Sequence, residues 1–202
     1  MQMLHPLIAS IQRYVQHIQR RSAASRHRPQ RCPICDARCP LRAHGFYRRT
    51  LLDVNFDGVI PVRRYLCLLC GRTVSLLPQV ALPYLRFGIA IIALFVVARL
   101  LEGRTLREAA RAASQPKMPY QRGQSWVRRF RAQAAALCLA LVSLTALPQA
   151  PDFPTRALRM LQASGWIRAH CYLFGRLRMH LLGWPPFLAP RGGPLTLARP
   201  PA

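Results

Sequence analysis

Two Cys-x-x-Cys pairs, Cys32-Pro33-Ile34-Cys35 and Cys67-Leu68-Leu69-Cys70, constrain this chain more than any other feature. Two residues between paired cysteines let one tight turn aim both sulfurs at a single point, and Zn2+ takes a closed tetrahedron of thiolate or imidazole ligands. Pro33 lies inside the first turn, and Gly71 directly follows the second, where a positive φ is commonly needed. The pairs are separated by 31 residues, 36 to 66, against the roughly 15 to 20 of common zinc-ligand patterns. Gly45–Asp53 and Val59–Leu66 are rich in aromatic, β-branched and aliphatic residues, and Asn55, Asp57 and Gly58 between them supply turn chemistry. The expectation over 32–83 is therefore an antiparallel zinc ribbon with a long hairpin, its structural Zn2+ held by Cys32, Cys35, Cys67 and Cys70. A unit of roughly forty residues buries too little apolar surface alone, so the metal supplies much of its folding free energy.

Other ligand candidates fit less well. Cys39 belongs to no second turn, and His44 precedes Gly45 at a strand entry, so both read as bystanders. Cys138, in an Ala/Leu-rich stretch, and Cys171, beside an aromatic residue, read as small buried side chains. Four thiolates close the zinc and leave no position for an activated water. The acids Asp36, Asp53, Asp57, Glu102, Glu108 and Asp152 form no cluster of the kind that metal-dependent strand chemistry needs. The chain reads as a non-enzyme.

Charge points to the partner. Lys and Arg number 30 against 6 Asp and Glu, a formal net charge of +24, and neutralising phosphates with these cations releases counterions and drives binding to a polyanion. The densest excess, ten basic against two acidic residues, lies in 84–148. Met1–Ser10 lacks the basic start, apolar run and small-residue cleavage site of a signal peptide, which predicts a cytoplasmic location. Seven cysteines then read as metal ligands or free thiols before disulfides. Gly88–Ala98 is too short to span a bilayer, and the uncharged 132–150 is broken by polar residues and Pro148, so both are expected to be core helices rather than membrane segments.

Apolar residues at Leu4, Leu7, Ile8, Ile11, Tyr14, Val15 and Ile18 predict an amphipathic helix over 1–21, followed by a basic linker to Arg31. Beyond Pro83 the pattern is helical: Tyr84–Leu101, stopped by Gly103, then Leu106–Ala113 opened by the capping box Thr105-Leu106-Arg107-Glu108, then a third helix from Tyr120. The fold class expected is α+β, the ribbon followed by a mostly α-helical, helix-turn-helix-like domain over 84–148. A Pro- and Gly-rich segment over 149–202 completes the chain, with one helical piece near Arg156–Ala163. The connection after the second helix, with Pro116 and Pro119, is longer than the usual three to four residues of that motif.

On a helical wheel the third helix places Gly123, Trp126, Val127, Phe130 and Ala134 in one sector, with Gln121, Arg122, Gln124, Ser125, Arg128 and Arg129 opposite. Arg, Gln and Ser are residue types that read base edges and phosphates. Gln121, Arg122 and Ser125 are the candidates for base contact, and Arg128, Arg129 and Arg131 for phosphates. Arg48, Arg49, Arg63 and Arg64 on the hairpin offer a second basic strip.

The first knuckle, the strand His44-Gly45-Phe46-Tyr47-Arg48-Arg49, the stretch Val62-Arg63-Arg64-Tyr65-Leu66-Cys67 to Cys70-Gly71-Arg72-Thr73, and Ser75-Leu76-Leu77-Pro78 resemble the zinc ribbon of transposase-related bacterial proteins. More closely, the chain is similar to a bacterial family of unknown function tied to mobile elements, in which ribbon, helical domain and a tail like Leu181-Leu182-Gly183-Trp184-Pro185-Pro186-Phe187 occur together. The resemblance covers about residues 30–200 and implies a nucleoid-associated binder of double-stranded DNA, an accessory factor or regulator working with a transposition or transcription protein. Full transposases of that kind add an acidic catalytic triad for which this chain has no carboxylates. Two other classes compete: a protein-interaction module using the ribbon and tail, and an RNA binder stacking bases on Phe46, Tyr47 and Tyr65.

Overall fold

The computed structural model of the protein describes residues 1–6, 10–19, 27–38 and 41–184. Cys39 and the tail residues Pro185, Pro186 and Phe187 lie outside these. Strands β1 (Gln2–Leu4), β2 (Arg42–Asp53), β3 (Phe56–Leu66) and β4 (Thr73–Leu77) form one sheet in the order β1-β4-β3-β2. Helices are α1 (Ile11–Gln19), α2 (Ile89–Leu100), α3 (Leu106–Ala112), α4 (Tyr120–Leu141), α5 (Phe153–Ser164) and α6 (Trp166–Arg176).

The expected hairpin is present, with two differences. β3 starts at Phe56, so the turn falls at Val54-Asn55 and Gly58 lies inside the strand, opposite Leu51. Gly58 is a packing site there, because a Cβ would stand 3.2 Å from the Phe56 ring. A bulge between Ala43 and Phe46, with Gly45 at φ 78°, re-aims the start of β2. The sheet is not purely antiparallel either: β4 pairs antiparallel with β3, but β1 joins β4 in parallel. Gln2–Leu4 therefore leaves the expected N-terminal helix, because its backbone pairs with Ser75–Leu77.

Period-two alternation divides the sheet into two faces. On one, Leu51, Ile60, Val62 and Leu77 receive Ile11, Tyr14 and Ile18 of α1. The Tyr14 hydroxyl donates to the carbonyls of Pro61 at 3.1 Å and Leu76 at 3.3 Å. On the other, Leu41, Tyr65, Val74 and Leu76 pack with Cys32 and Cys67.

The helical half begins later than Tyr84. Tyr84 follows Pro83 with φ 61°, and Leu52 brackets the next residues, donating its N–H to Arg86 O and accepting from Gly88 N–H, each at 2.7 Å. The Arg49 guanidinium donates to the Leu82 and Leu85 carbonyls. These contacts weld the sheet edge to the helices and delay α2 to Ile89. The capping box at α3 forms as expected, Thr105 Oγ1 accepting from Glu108 N–H and Glu108 from Thr105 N–H. α4 runs unbroken to Leu141 and carries Phe130, Ala134, Leu137 and Leu141 into the core. α5 and α6 join the same core through Leu158, Leu161 and Leu173. α6 had no counterpart in the sequence reading. Gly165, at φ 81°, separates it from α5, which Asp152 caps by accepting from Thr155 N–H.

Two histidines are sealed in this core. His180 Nε2–H donates to Pro83 O at 3.0 Å and Nδ1 accepts from Leu182 N–H at 3.1 Å, a neutral tautomer with both nitrogens engaged. Burial pulls it down to about 4, with the Arg129 charge adding to the shift and the Pro83 bond opposing it. His170, stacked on Phe174, is pulled down to about 3 by burial and then by His180. Both folded values lie below the ordinary 6.5, so the unfolded chain takes up these protons first as pH falls. Stability present above pH 6.5 is therefore lost below it, at about 1.4 kcal/mol per pH unit per histidine until the folded value is reached. Urea midpoints from pH 7 to 4.5 should fall less steeply in His170→Leu than in the native chain; identical slopes would remove His170 from this account.

Candidate metal centre and nucleic-acid interface

The four knuckle cysteines meet at the end of the sheet. Cys32 Sγ stands 3.7 Å from Cys70 Sγ, Cys35 Sγ stands 3.8 Å from Cys67 Sγ, and all four sulfurs lie within 4.8 Å of one another. Metal–sulfur bonds of about 2.3 Å in a regular tetrahedron require sulfur–sulfur edges of about 3.8 Å. The group is thus sized to hold a metal ion.

The two knuckles are built alike. Asp36 N–H donates to Cys32 O at 2.8 Å and Gly71 N–H to Cys67 O at 2.9 Å. Each loop closes when the first cysteine's N–H reaches the carbonyl five residues on, Ala37 or Arg72. Both pass through a left-handed residue, Asp36 at φ 53° and Gly71 at φ 66°. Asp36 thus does at the first knuckle what glycine does at the second, and its carboxylate also accepts from Arg31 at 3.0 Å.

Crowding raises two of the thiols. The Ala37 amide pulls the Cys35 thiol down, but desolvation and the three neighbouring sulfurs push it up, to about 12 overall. The Arg72 amide pulls the Cys70 thiol down, as Cys35 also does, but desolvation and the bonds with Cys67 and Cys32 raise it overall. Four thiolates at this separation repel one another unless a metal ion lies among them. His44 stands exposed outside the group, and Cys138 is buried with its thiol 3.6 Å from Phe153 O.

The third helix of the sequence reading, α4, divides its polar residues between two flanks. Gln121, Gln124, Ser125, Arg128 and Arg131 line one groove with Arg99 of α2, Leu106 and Tyr120. Arg122 and Arg129 lie on the other flank. The Arg122 guanidinium sits 5.5 Å from the Phe87 ring centroid. Arg129 donates from Nε to Leu182 O at 2.9 Å and from a terminal nitrogen to Gly183 O at 2.5 Å. A wheel sorts residues by angle alone and could not anticipate that the C-terminal segment would cover this flank. Arg129→Ala should leave two backbone carbonyls without their charged donor and cost about 1.5 to 3 kcal/mol, read as a lower urea midpoint. An unchanged midpoint would show that these bonds contribute nothing.

Alternation also splits the hairpin arginines. Arg48 and Arg63 share a face with Phe46, where the Arg63 guanidinium lies 4.5 Å from the Phe46 ring centroid. Arg49 and Arg64 point to the opposite face. Arg49 is spent on the Leu82 and Leu85 carbonyls, and Arg64 donates to Thr73 Oγ1 at 3.2 Å. Adjacent arginines on a strand cannot make one strip, so the four do not form one. Nor do the hairpin aromatics make one stacking platform: Phe46 is exposed, Tyr65 is buried, and Tyr47 packs on the α1 side.

The carboxylates are dispersed. Asp53 accepts from Val54 N–H, Glu102 pairs with Arg104 at 2.6 Å, and Glu108 and Asp152 are helix caps. No helix among the described residues is long and apolar enough to cross a membrane.

The model of a family described as a domain of unknown function, DUF6431, matches residues 32–114. That span begins at the first metal-site cysteine and ends just beyond α3, so it takes in both knuckles, the hairpin and α2. No curated protein and no solved structure matches the chain.

Proposed function

We propose that the protein is a zinc-dependent, non-enzymatic binder of double-stranded DNA. The observation that carries this reading is the α4 groove, where Arg99, Arg128 and Arg131 converge on Gln121, Gln124 and Ser125. Cations for phosphates stand beside amide and hydroxyl groups suited to base edges. With a net charge of +24, approach to a phosphate backbone is strongly favoured.

In this reading α2, α3 and α4 form a helix-turn-helix-like unit, with α4 presented to the DNA. Gly123 permits the close approach: a Cβ there would stand 2.8 Å from the Phe95 ring of α2. The segment 113–119 between α3 and α4 makes a longer turn than is usual. Zn2+ is the metal best matched to a closed set of four thiolates, redox-inert and tetrahedral, and its role is to fasten the knuckles to the sheet. The likeness to transposase-related ribbons supports placing the protein as an accessory factor or regulator, cytoplasmic and nucleoid-associated, without a catalytic domain.

A second reading, a protein-interaction module, has one observation in its favour. The knuckle tips expose Ile34, Leu68 and Leu69, apolar side chains that a partner protein could cover. Competition separates the readings. The zinc-loaded chain should be captured by duplex DNA at low ionic strength and released less readily by RNA than by more duplex. Preference for RNA, or no capture together with a stoichiometric co-purifying protein, would overturn the DNA reading.

A further inference from the structure

Three histidines distant in sequence come together between the sheet and α1. Their ring nitrogens His5, His17 and His27 all lie within 4.8 Å of one another. His5 follows β1 and is locked by its backbone: its N–H donates to Leu77 O at 2.6 Å, and Gln79 Nε2 donates to its carbonyl at 3.2 Å. His17 belongs to the last turn of α1, and His27 precedes the first knuckle by five residues.

We propose that His5, His17 and His27 form a second metal site, taking one divalent transition-metal ion of the zinc class through three imidazoles, with a fourth position open to water. The site is separate from the four-cysteine centre and does not depend on DNA binding.

Size and chemistry both support it. Three atoms mutually within 4.8 Å all lie within about 2.8 Å of a common point, and bonds of about 2.0 to 2.1 Å to zinc need only a small contraction. Among the described residues His17 Nε2 is buried without a hydrogen-bond partner, and a buried imidazole nitrogen left so is costly, whereas a metal ion satisfies it. His5 is 1% exposed. The alternative is a metal-free ring cluster, since the rings meet at centroid distances of 4.6 to 5.7 Å with tilted or edge-on planes. A bound ion would instead tie α1 and β1 to the segment that leads into Cys32.

The test is a Co2+ titration of the reduced, metal-free full-length protein, followed by absorption. The expected result is two equivalents per chain, one with intense thiolate-to-cobalt charge-transfer bands and one without them. His17→Gln and His27→Gln should each remove the second equivalent and leave the thiolate bands intact. His27 lies outside any helix or strand, so His27→Gln decides the matter if His17→Gln disturbs α1. Saturation of the native chain at one equivalent, or a second equivalent that survives His27→Gln, would overturn the proposal.

Discussion

Stripping the metal from the four-cysteine centre, or replacing Cys67 by Ser, should lower the Tm by roughly 10 to 15 °C and abolish DNA binding. A ligand held a thousandfold above its Kd contributes about 4 kcal/mol. For a chain of this size each kcal/mol is worth about 2 to 4 °C. The effect is large because Cys32 and Cys67 are both fully buried at the point where the N-terminal knuckle docks on β3. Without the cation, nothing bonds the sulfurs of the first knuckle to those of the second, and the chain links the two knuckles through the 31-residue insert. Thermal melts with and without chelator, followed by addition of one equivalent of Zn2+, check this. Recovery on zinc addition is expected; a Tm indifferent to both treatments would show that the cysteines are mere core residues.

The second large effect concerns the α4 groove. Arg128→Ala combined with Arg131→Ala should weaken duplex DNA binding about 10- to 100-fold at moderate salt and leave the Tm unchanged. Both side chains are exposed on the groove side, and each phosphate contact contributes about 0.9 to the slope of log affinity against log salt. Arg129→Ala should behave in the opposite way, lowering stability while leaving the salt slope near its native value. Its guanidinium is held by Leu182 and Gly183. This pairing separates a cation that faces solvent from one that holds the fold, although the two are neighbours in sequence.

That contrast also marks where the sequence stops being informative. Local chemistry was legible: the paired cysteines, the Thr105/Glu108 box and the buried sector of α4 all appear where spacing places them. Properties set by distant partners were not. Gln2–Leu4 is a strand because residues 75–77 pair with it, and Tyr84–Gly88 stays outside α2 because Leu52 and Arg49 hold it. Arg49, Arg122 and Arg129 look like surface cations in a string of letters; burial of their neighbours turns them inward. The three histidines carry no ligand-motif spacing, and they meet only because β1 joins the sheet and α1 folds across it. α6 went unread because Gly165, Gly175 and flanking prolines made its region look irregular.

The four-cysteine group joins the first knuckle to the end of the sheet, and the bonds at Leu52 join the sheet edge to the residues before α2. The cysteines of the first knuckle meet Cys67 and Cys70 just beyond β3, β3 pairs with β2, and the end of β2 brackets the residues that lead into α2. α2 in turn supplies Arg99 to the groove. In the proposed reading the metal acts on DNA binding through the fold and not through contact.

The salt dependence of duplex affinity tests the central claim most directly. Measured on the zinc-loaded full chain between low and moderate ionic strength, log affinity should fall steeply and linearly with log salt, and the Arg128→Ala/Arg131→Ala double variant should give a slope shallower by about 2. No measurable affinity at low ionic strength, or a slope the double substitution leaves unchanged, would contradict the account.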